Sequence, residues 1–248
     1  MSTSKIEWVL NPDSTPGFSW NPVVGCEHNC SYCYAREIAR RFPAKPWPHM
    51  CCNNCVTFTP HTHWERKLPR FRKPATVFIG AMTDLWGDWV PAEWIQRVLD
   101  MVASRPQDVF LTLTKAPWNY HKFPTLPNLW YGVTVDYGHT DVLKITATMR
   151  RLQTTKAFLS FEPVLSDPQA QCIDMDALKW YQIVIVGPLN HRGPAVTRRE
   201  WVEHIVKAAE SAGVPVFMKN KCLDPRAFVD GKCFTESEMR RELPWVKK

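Results

Sequence analysis

The sequence lacks any run of about 18 consecutive apolar residues, the length a membrane-spanning helix requires. Its opening segment, Met1 to Trp8, carries no apolar core of the kind a secretory signal has. No internal repeat, heptad pattern or low-complexity tract is visible, which excludes solenoids, coiled coils and compositionally biased tails. An even cysteine count is missing too. The nine cysteines of this chain argue against a disulfide framework and for metal ligation or reactive thiols. Together these absences predict a cytoplasmic chain with no membrane partner.

What is present fits a globular protein. The 248 residues are 45% hydrophobic and 22% charged, enough for one large α/β domain or two small ones. The formal net charge of +7 favours a polyanionic partner, nucleic acid first. A basic protein with no such partner is the plainer alternative.

Short apolar runs recur along the chain, at Thr76–Gly80, Val109–Thr114, Leu129–Val135, Ala157–Phe161, Gln182–Gly187 and Val214–Met218. They are rich in Val, Ile, Phe and Thr and too short for helices, as buried parallel strands are. Between them, Pro91–Ser104 repeats Trp94, Ile95, Val98, Leu99 and Val102 at helical spacing. Thr197–Ala212 begins with a candidate Thr cap and stops before Gly213, and Asp141–Leu152 is a weaker third helix. With a strand near Trp20–Val24, about six or seven strands alternate with helices. The pattern predicts an α/β fold, a partial or complete parallel βα barrel, in one domain over residues 1–248. A Cys- and Pro-rich excursion at about residues 42–74, carrying Pro43, Pro46, Pro48, Pro60, Pro69 and Pro74, interrupts it.

In such folds the active site lies at the C-terminal ends of the strands. The polar residues expected there are Thr83 and Asp84, Thr114 and Lys115, Thr134 and Asp136, Ser160 and Glu162, Asn190, Lys219 and Asn220.

The central motif is C-x3-C-x2-C at Cys26, Cys30 and Cys33. Thiolates spaced closely on one loop let the chain wrap an iron–sulfur cubane, and three protein ligands leave one iron open. A structural zinc site could use the same residues, with His28 as a fourth ligand.

With Tyr32 before its last cysteine, this motif resembles the hallmark of the radical S-adenosylmethionine (SAM) superfamily. Further segments extend the match: Ser4–Trp8, Trp20–Cys26, Cys33–Ala35, Phe78–Leu85, Leu113–Pro117, Tyr131–Val135, Ser160–Val164, Ile185–Gly187 and Gly213–Lys219. Together they resemble a phage-associated radical SAM family of unknown function, distantly similar to spore photoproduct lyase. Many of its relatives have a longer first cysteine spacing; here it is the superfamily's ordinary three.

The resemblance implies a [4Fe–4S] cluster on Cys26, Cys30 and Cys33, and an external electron donor of the flavodoxin or ferredoxin type. It implies SAM bound through the open iron and reductively cleaved to a 5′-deoxyadenosyl radical that abstracts a substrate hydrogen. Gly80 to Asp84 would meet the SAM amino group, with Gly80 allowing close approach and Asp84 accepting from the ammonium. Thr114 and Lys115 would lie near the carboxylate, Ser160 and Glu162 near the ribose or methionine part, and Gly187 near the adenine. Tyr32, Thr83 and Thr134 complete the SAM candidates, and Asp136, Asn190, Lys219 and Asn220 are the substrate candidates.

A second metal site is open. Cys51, Cys52 and Cys55 have His49, His61 and His63 nearby, and Cys222 stands past the last strand. An auxiliary iron–sulfur cluster, a zinc ion or packed thiols all fit, although the adjacent side chains of Cys51 and Cys52 diverge.

The segment Glu65–Lys73 holds five Lys and Arg, and of the 12 tryptophans Trp47, Trp64, Trp86, Trp89 and Trp118 fall in expected loops. Basic groups with aromatic platforms suit a displaced base; the plainer reading is that the tryptophans pack the barrel and the lysines solvate its outside. The charge and the phage resemblance point to a nucleic-acid base or modified nucleotide, such as a hypermodified thymine, that is rearranged, modified or repaired. A radical SAM enzyme acting on a small molecule or peptide is the alternative. A zinc-stabilised nucleic-acid-binding protein without catalysis is the alternative of another class.

Overall fold

The computed structural model describes residues 2–41, 52–136, 142–167, 175–190 and 194–246. Its main sheet has eight strands: β1 (Ser2–Thr3), β2 (Phe18–Trp20), β5 (Thr76–Ile79), β6 (Val109–Thr114), β7 (Leu129–Thr134), β8 (Ala157–Phe161), β9 (Ile183–Val186) and β10 (Val216–Met218), adjacent in that order. The seven strands from β2 to β10 are mutually parallel, and β1 runs antiparallel to β2. A second, two-stranded sheet pairs β3 (Val23–Val24) with β4 (His61–Thr62). The remaining helices are α1 (Tyr34–Arg41), α2 (Asn53–Thr57), α3 (Ala92–Ala103), α4 (Val142–Arg150), α5 (Met175–Leu178) and α6 (Arg199–Ser211).

The sheet does not close. Closure would require the outermost strands to pair, but both edges are taken by terminal segments. Ser2–Thr3 covers β2. At the other edge Phe217 bridges Arg241 antiparallel, with Met218 N–H donating to Arg240 O at 2.8 Å and Glu242 N–H to Val216 O at 3.1 Å. These short antiparallel caps satisfy edge groups that would otherwise recruit another strand. The complete form of the expected barrel is therefore not what the chain adopts.

The two-residue period of the strands sorts side chains onto two faces. One face carries Val77, Ile79, Phe110, Tyr131, Val133, Leu159, Phe161, Val184, Val186, Val216 and Met218, packed against Ile95, Val98 and Val102 of α3 and Val202, Ile205 and Ala209 of α6. The other face carries Phe78, Leu111, Trp130, Phe158, Ile183, Ile185 and Phe217, and the chain ends cover it with Trp8 and Trp245. The Trp8 ring meets Phe78 at 5.2 Å and Phe158 at 5.6 Å, and Trp245 meets Trp130 at 5.1 Å. Trp245 Nε1–H donates to Trp8 O at 3.2 Å, so the buried indole keeps a partner.

Local chemistry explains two departures from expectation. Thr197 does not cap α6; it is fully buried, donates its hydroxyl to Val164 O at 2.7 Å and accepts from Leu189 N–H at 3.2 Å. That spends the oxygen a cap would need, and the helix starts after Arg198. The strand expected over Trp20–Val24 breaks in two because Gly80 N–H takes Trp20 O and His63 N–H takes Pro22 O, which redirects the chain toward β4. The excursion therefore packs from residue 52 onward, while residues 42–51 lie outside the described residues.

Candidate active site and metal centre

Gly80, Lys115, Thr134, Asp136, Ser160, Glu162, Gly187 and Lys219 follow the parity of Phe78, Leu111, Trp130, Phe158, Ile185 and Phe217 along their strands. They continue the tryptophan-covered face at the C-terminal ends of β5 to β10. Apolar residues fill the lower part of this face and polar ones its upper rim. Thr114 has the opposite parity, and its hydroxyl reaches Asp84 instead.

The C-x3-C-x2-C loop enters this rim between β3 and α1. Cys33 immediately precedes α1, and Arg36 N–H points at its Sγ at 3.4 Å. Backbone donors and the positive end of a helix favour a thiolate there. Cys26 and Cys33 pack against Ala35, Ala39, Cys55 and Phe58. Burial pushes the free Cys26 thiol up to about 12, and burial also raises Cys30, with the Lys115 cation acting against it. A metal would reverse both directions by holding the deprotonated form.

Asp84, 6% exposed, ties the loop to the strands. One carboxylate oxygen accepts from Thr114 Oγ1 at 2.7 Å and Trp86 N–H at 3.1 Å; the other accepts from Lys115 N–H at 2.9 Å and meets His28 Nε2 at 2.8 Å. These contacts join the His28 loop to the ends of β5 and β6. Beside it, Lys115 donates to Tyr32 Oη at 2.6 Å and is ion-paired with Asp136, to which the Tyr32 hydroxyl also donates. Burial and the Asp136 carboxylate together raise the Tyr32 phenol. Across the rim Lys219 is ion-paired with Glu162. Burial alone would lower the Lys219 pKa, but Glu162 outweighs it and the net direction is up. The Lys219 chain lies over Gly187, where an added Cβ would stand 3.0 Å from its Cδ.

Ser160 is 0% exposed, and its Oγ has no hydrogen-bond partner among the described residues. A buried hydroxyl left unpaired costs on the order of 1–3 kcal/mol, so this atom marks where a ligand would repay desolvation.

The second cysteine region converges more tightly. Cys52 precedes α2 and Cys55 lies in its first turn, so the i, i+3 spacing puts both thiols on one side. His61 and His63 are two residues apart along the β4 segment, which aims both rings to one face. The Sγ atoms of Cys52 and Cys55 and one nitrogen of each imidazole all lie within 4.8 Å of one another, and the four residues could hold a metal ion. Cys51 lies outside the described residues. Cys222 is not in this set; it is buried in the helix-side core near Phe228 and Phe234, and burial pushes its thiol up to about 12.

Other expected residues fall elsewhere. Thr83 donates to Gly25 O at 2.6 Å, beside the cysteine loop. Asn190 is exposed, and Asn220 is bound by Arg241 through its side chain and by Glu7 through its N–H, each at 2.5 Å. Trp86 is buried, with Nε1–H donating to Thr112 Oγ1 at 2.8 Å, whereas Trp118 is 50% exposed; Trp47 lies outside the described residues. The sequence offered His28 only as a zinc ligand beside the cysteine loop and gave Glu65 no partner. Only their through-space contacts to Asp84 and His63 identify them.

No curated protein and no solved structure matches the chain. Over residues 3–226 it matches the model of the family described as "Protein of unknown function (DUF5131)", and the chain belongs to that family.

Proposed function

We propose that this chain is a radical SAM enzyme acting on a nucleic-acid base or modified nucleotide. The observation that carries the reading is the C-x3-C-x2-C loop meeting a polar strand-end rim through Tyr32, Lys115 and Asp136, a rim that also holds the buried Ser160 hydroxyl, without a partner among the described residues. Cys26, Cys30 and Cys33 would hold a [4Fe–4S] cluster. The donor set fits: three thiols from one loop, one of them at a helix start, leave one iron without a protein ligand. Among the described residues these thiols are not part of any donor set gathered within 4.8 Å, a condition for one ion that a cubane, with each thiolate on a different iron, does not impose. When bound, the reduced cluster supplies the electron that cleaves SAM to a 5′-deoxyadenosyl radical.

The chain's own residues do the rest. Ser160 Oγ and Thr134 offer hydroxyls on the ligand face, and Gly80, at φ +83°, lets a ligand approach the backbone. Glu162 and Lys219 present opposite charges that suit an amino acid's ammonium and carboxylate. Asp84 holds His28 and the β6 end in register. Trp8 and Trp245 exclude water from below, which protects a reactive intermediate. We read the open parallel sheet as the partial barrel of this enzyme class and expect a flavodoxin- or ferredoxin-type donor in the cytoplasm. No helix among the described residues is long and apolar enough to cross a membrane.

The net charge of +7 and the half-exposed Trp118 support a polyanionic substrate with an aromatic base. The test is anaerobic reconstitution with iron and sulfide, then SAM and dithionite, reading 5′-deoxyadenosine with Cys30→Ala as control. Formation by the parent and none by the variant is expected, with DNA raising turnover in a salt-sensitive way. Intact SAM in both would overturn the assignment. Salt-insensitive turnover on a neutral metabolite would move the substrate to a small molecule.

A further inference from the structure

Cys52, Cys55, His61 and His63 carry an inference that does not depend on the radical chemistry. We propose that they bind one tetrahedral zinc ion, a structural site that fixes the floor under the Cys26–Cys33 loop.

The donor geometry comes first. A tetrahedral zinc with Zn–S near 2.3 Å places its two sulfurs about 3.8 Å apart. The Sγ atoms of Cys52 and Cys55 are 3.8 Å apart. The same ion, with Zn–N near 2.05 Å, gives nitrogen–nitrogen edges of about 3.3 Å and sulfur–nitrogen edges of about 3.6 Å. Here His61 Nε2 and His63 Nε2 are 2.9 Å apart, and Cys55 Sγ is 3.2 and 3.1 Å from them. These three edges are a few tenths of an ångström shorter than ideal, and the two Cys52–imidazole edges lie within 4.8 Å.

The outer partners point the same way. His61 Nδ1 lies 2.7 Å from Thr59 O, a carbonyl that can only accept, so this nitrogen carries the proton. His63 Nδ1 lies 2.6 Å from the Glu65 carboxylate. Imidazoles bound to metal almost always hold their second nitrogen in this way. With each Nδ1 so held, both Nε2 atoms turn toward Cys55 Sγ, where one cation could take all three donors. Both rings and Cys55 are buried, and Cys52 stands at the exposed edge of the set.

An iron–sulfur cluster fits worse. In a two-iron cluster with two Cys and two His, the thiolates hold one iron and the imidazoles the other. Cys55 would then not lie within hydrogen-bonding distance of both imidazoles. A mixed tetrahedral set of two sulfurs and two nitrogens is the zinc pattern.

The site's position explains its use. Val24 pairs with His61 in the β3–β4 sheet. Cys26 N–H donates to Phe58 O at 3.3 Å, and Cys55 and Phe58 pack against Cys26 and Cys33. Zinc would thus lock a five-residue helix and a two-residue strand, elements too short to hold themselves, directly beneath the cysteine loop.

The experiment is metal analysis and zinc-edge X-ray absorption on the full chain, purified in air and dialysed without iron or sulfide. About one zinc per chain in a shell of two sulfurs and two nitrogens is expected. The same is expected in the Cys26→Ala, Cys30→Ala, Cys33→Ala triple variant, which cannot build the other centre. Cys55→Ala should lose the zinc, and His63→Cys, which keeps four donors, should retain it. Should Cys55→Ala fail to fold, cobalt exchanged into the parent protein gives the second readout, tetrahedral visible bands with thiolate charge transfer. Folded parent protein without zinc, a shell lacking sulfur, or iron and sulfide retained by the triple variant would each overturn the proposal. The radical SAM reading could fail its own test with the zinc count unchanged.

Discussion

Two cysteine regions meet on one small apolar cluster, yet their donors are arranged differently. Around Cys55, four donor atoms converge within 4.8 Å, and the imidazoles are oriented by Thr59 O and Glu65. Around Cys30, three thiols spread along a loop whose neighbours are a helix start, Lys115 and the Tyr32 hydroxyl. A closed set of four suits a resident ion that stabilises; a spread set of three suits a centre that keeps a position for chemistry. Cysteine count would not separate the two regions. Convergence and outer partners do.

The sharpest way to break that comparison is to damage each region alone. Cys30→Ala should abolish 5′-deoxyadenosine formation, a loss of at least about a thousandfold if the cluster supplies the chemistry. Its thermal midpoint should stay within a few degrees of the parent. Cys55→Ala should do the reverse at the level of stability. Losing a structural ion from two short elements should cost on the order of 3–5 kcal/mol, or roughly 6–20 °C in melting temperature. Calorimetry and product assays on the same preparations decide it; two variants with identical profiles would mean that the regions form one centre.

Gly25 tests whether the regions are coupled. It sits at φ +95°, and an added Cβ would stand 2.4 Å from the backbone of Thr59, between the cysteine loop and the segment that carries Cys55 and His61. Gly25→Ala should therefore destabilise by about 2–4 kcal/mol through backbone strain and a clash that neither side can relieve cheaply. It should also lower zinc and iron content together. A variant that loses only iron would show that the Cys55–His63 segment does not position the loop.

Much of this was legible in the sequence because strand parity is a strong signal. Val109–Thr114 and Ala157–Phe161 have the bounds their apolar runs imply, and the rim residues follow from where those runs end. The edges were not legible: Ser2–Thr3 and the Arg241 segment pair through the backbone, which leaves no side-chain pattern. The metal set was half legible. Cys52-x2-Cys55 stands out as a half-site, but the choice of His61 and His63 over Cys222 depends on β4 folding back onto β3. Trp64, Trp86 and Trp89 were legible as loop residues, but their burial was not. Trp86 lies in a loop, as its position in the sequence implies, and its ring packs into the core against Tyr120 and Phe123 while Thr112 Oγ1 accepts from its indole.

The smallest expected effect sharpens the comparison most directly. Were the Cys26–Cys33 loop a zinc site, His28 would be its fourth ligand. Instead His28 Nε2 meets Asp84 at 2.8 Å, and its ring stands edge-on to Trp89 at 4.8 Å. His28→Ala removes one charge-assisted hydrogen bond and one aromatic contact, and Asp84 keeps its bonds to Thr114, Trp86 and Lys115. The cost should be about 1–2 kcal/mol, since the carboxylate is left with its other donors. Iron content after reconstitution should stay near four per chain, because a cubane on three cysteines does not use the imidazole. A fall in metal content greater than the fall in stability would place His28 among the ligands and erase the distinction between the two regions.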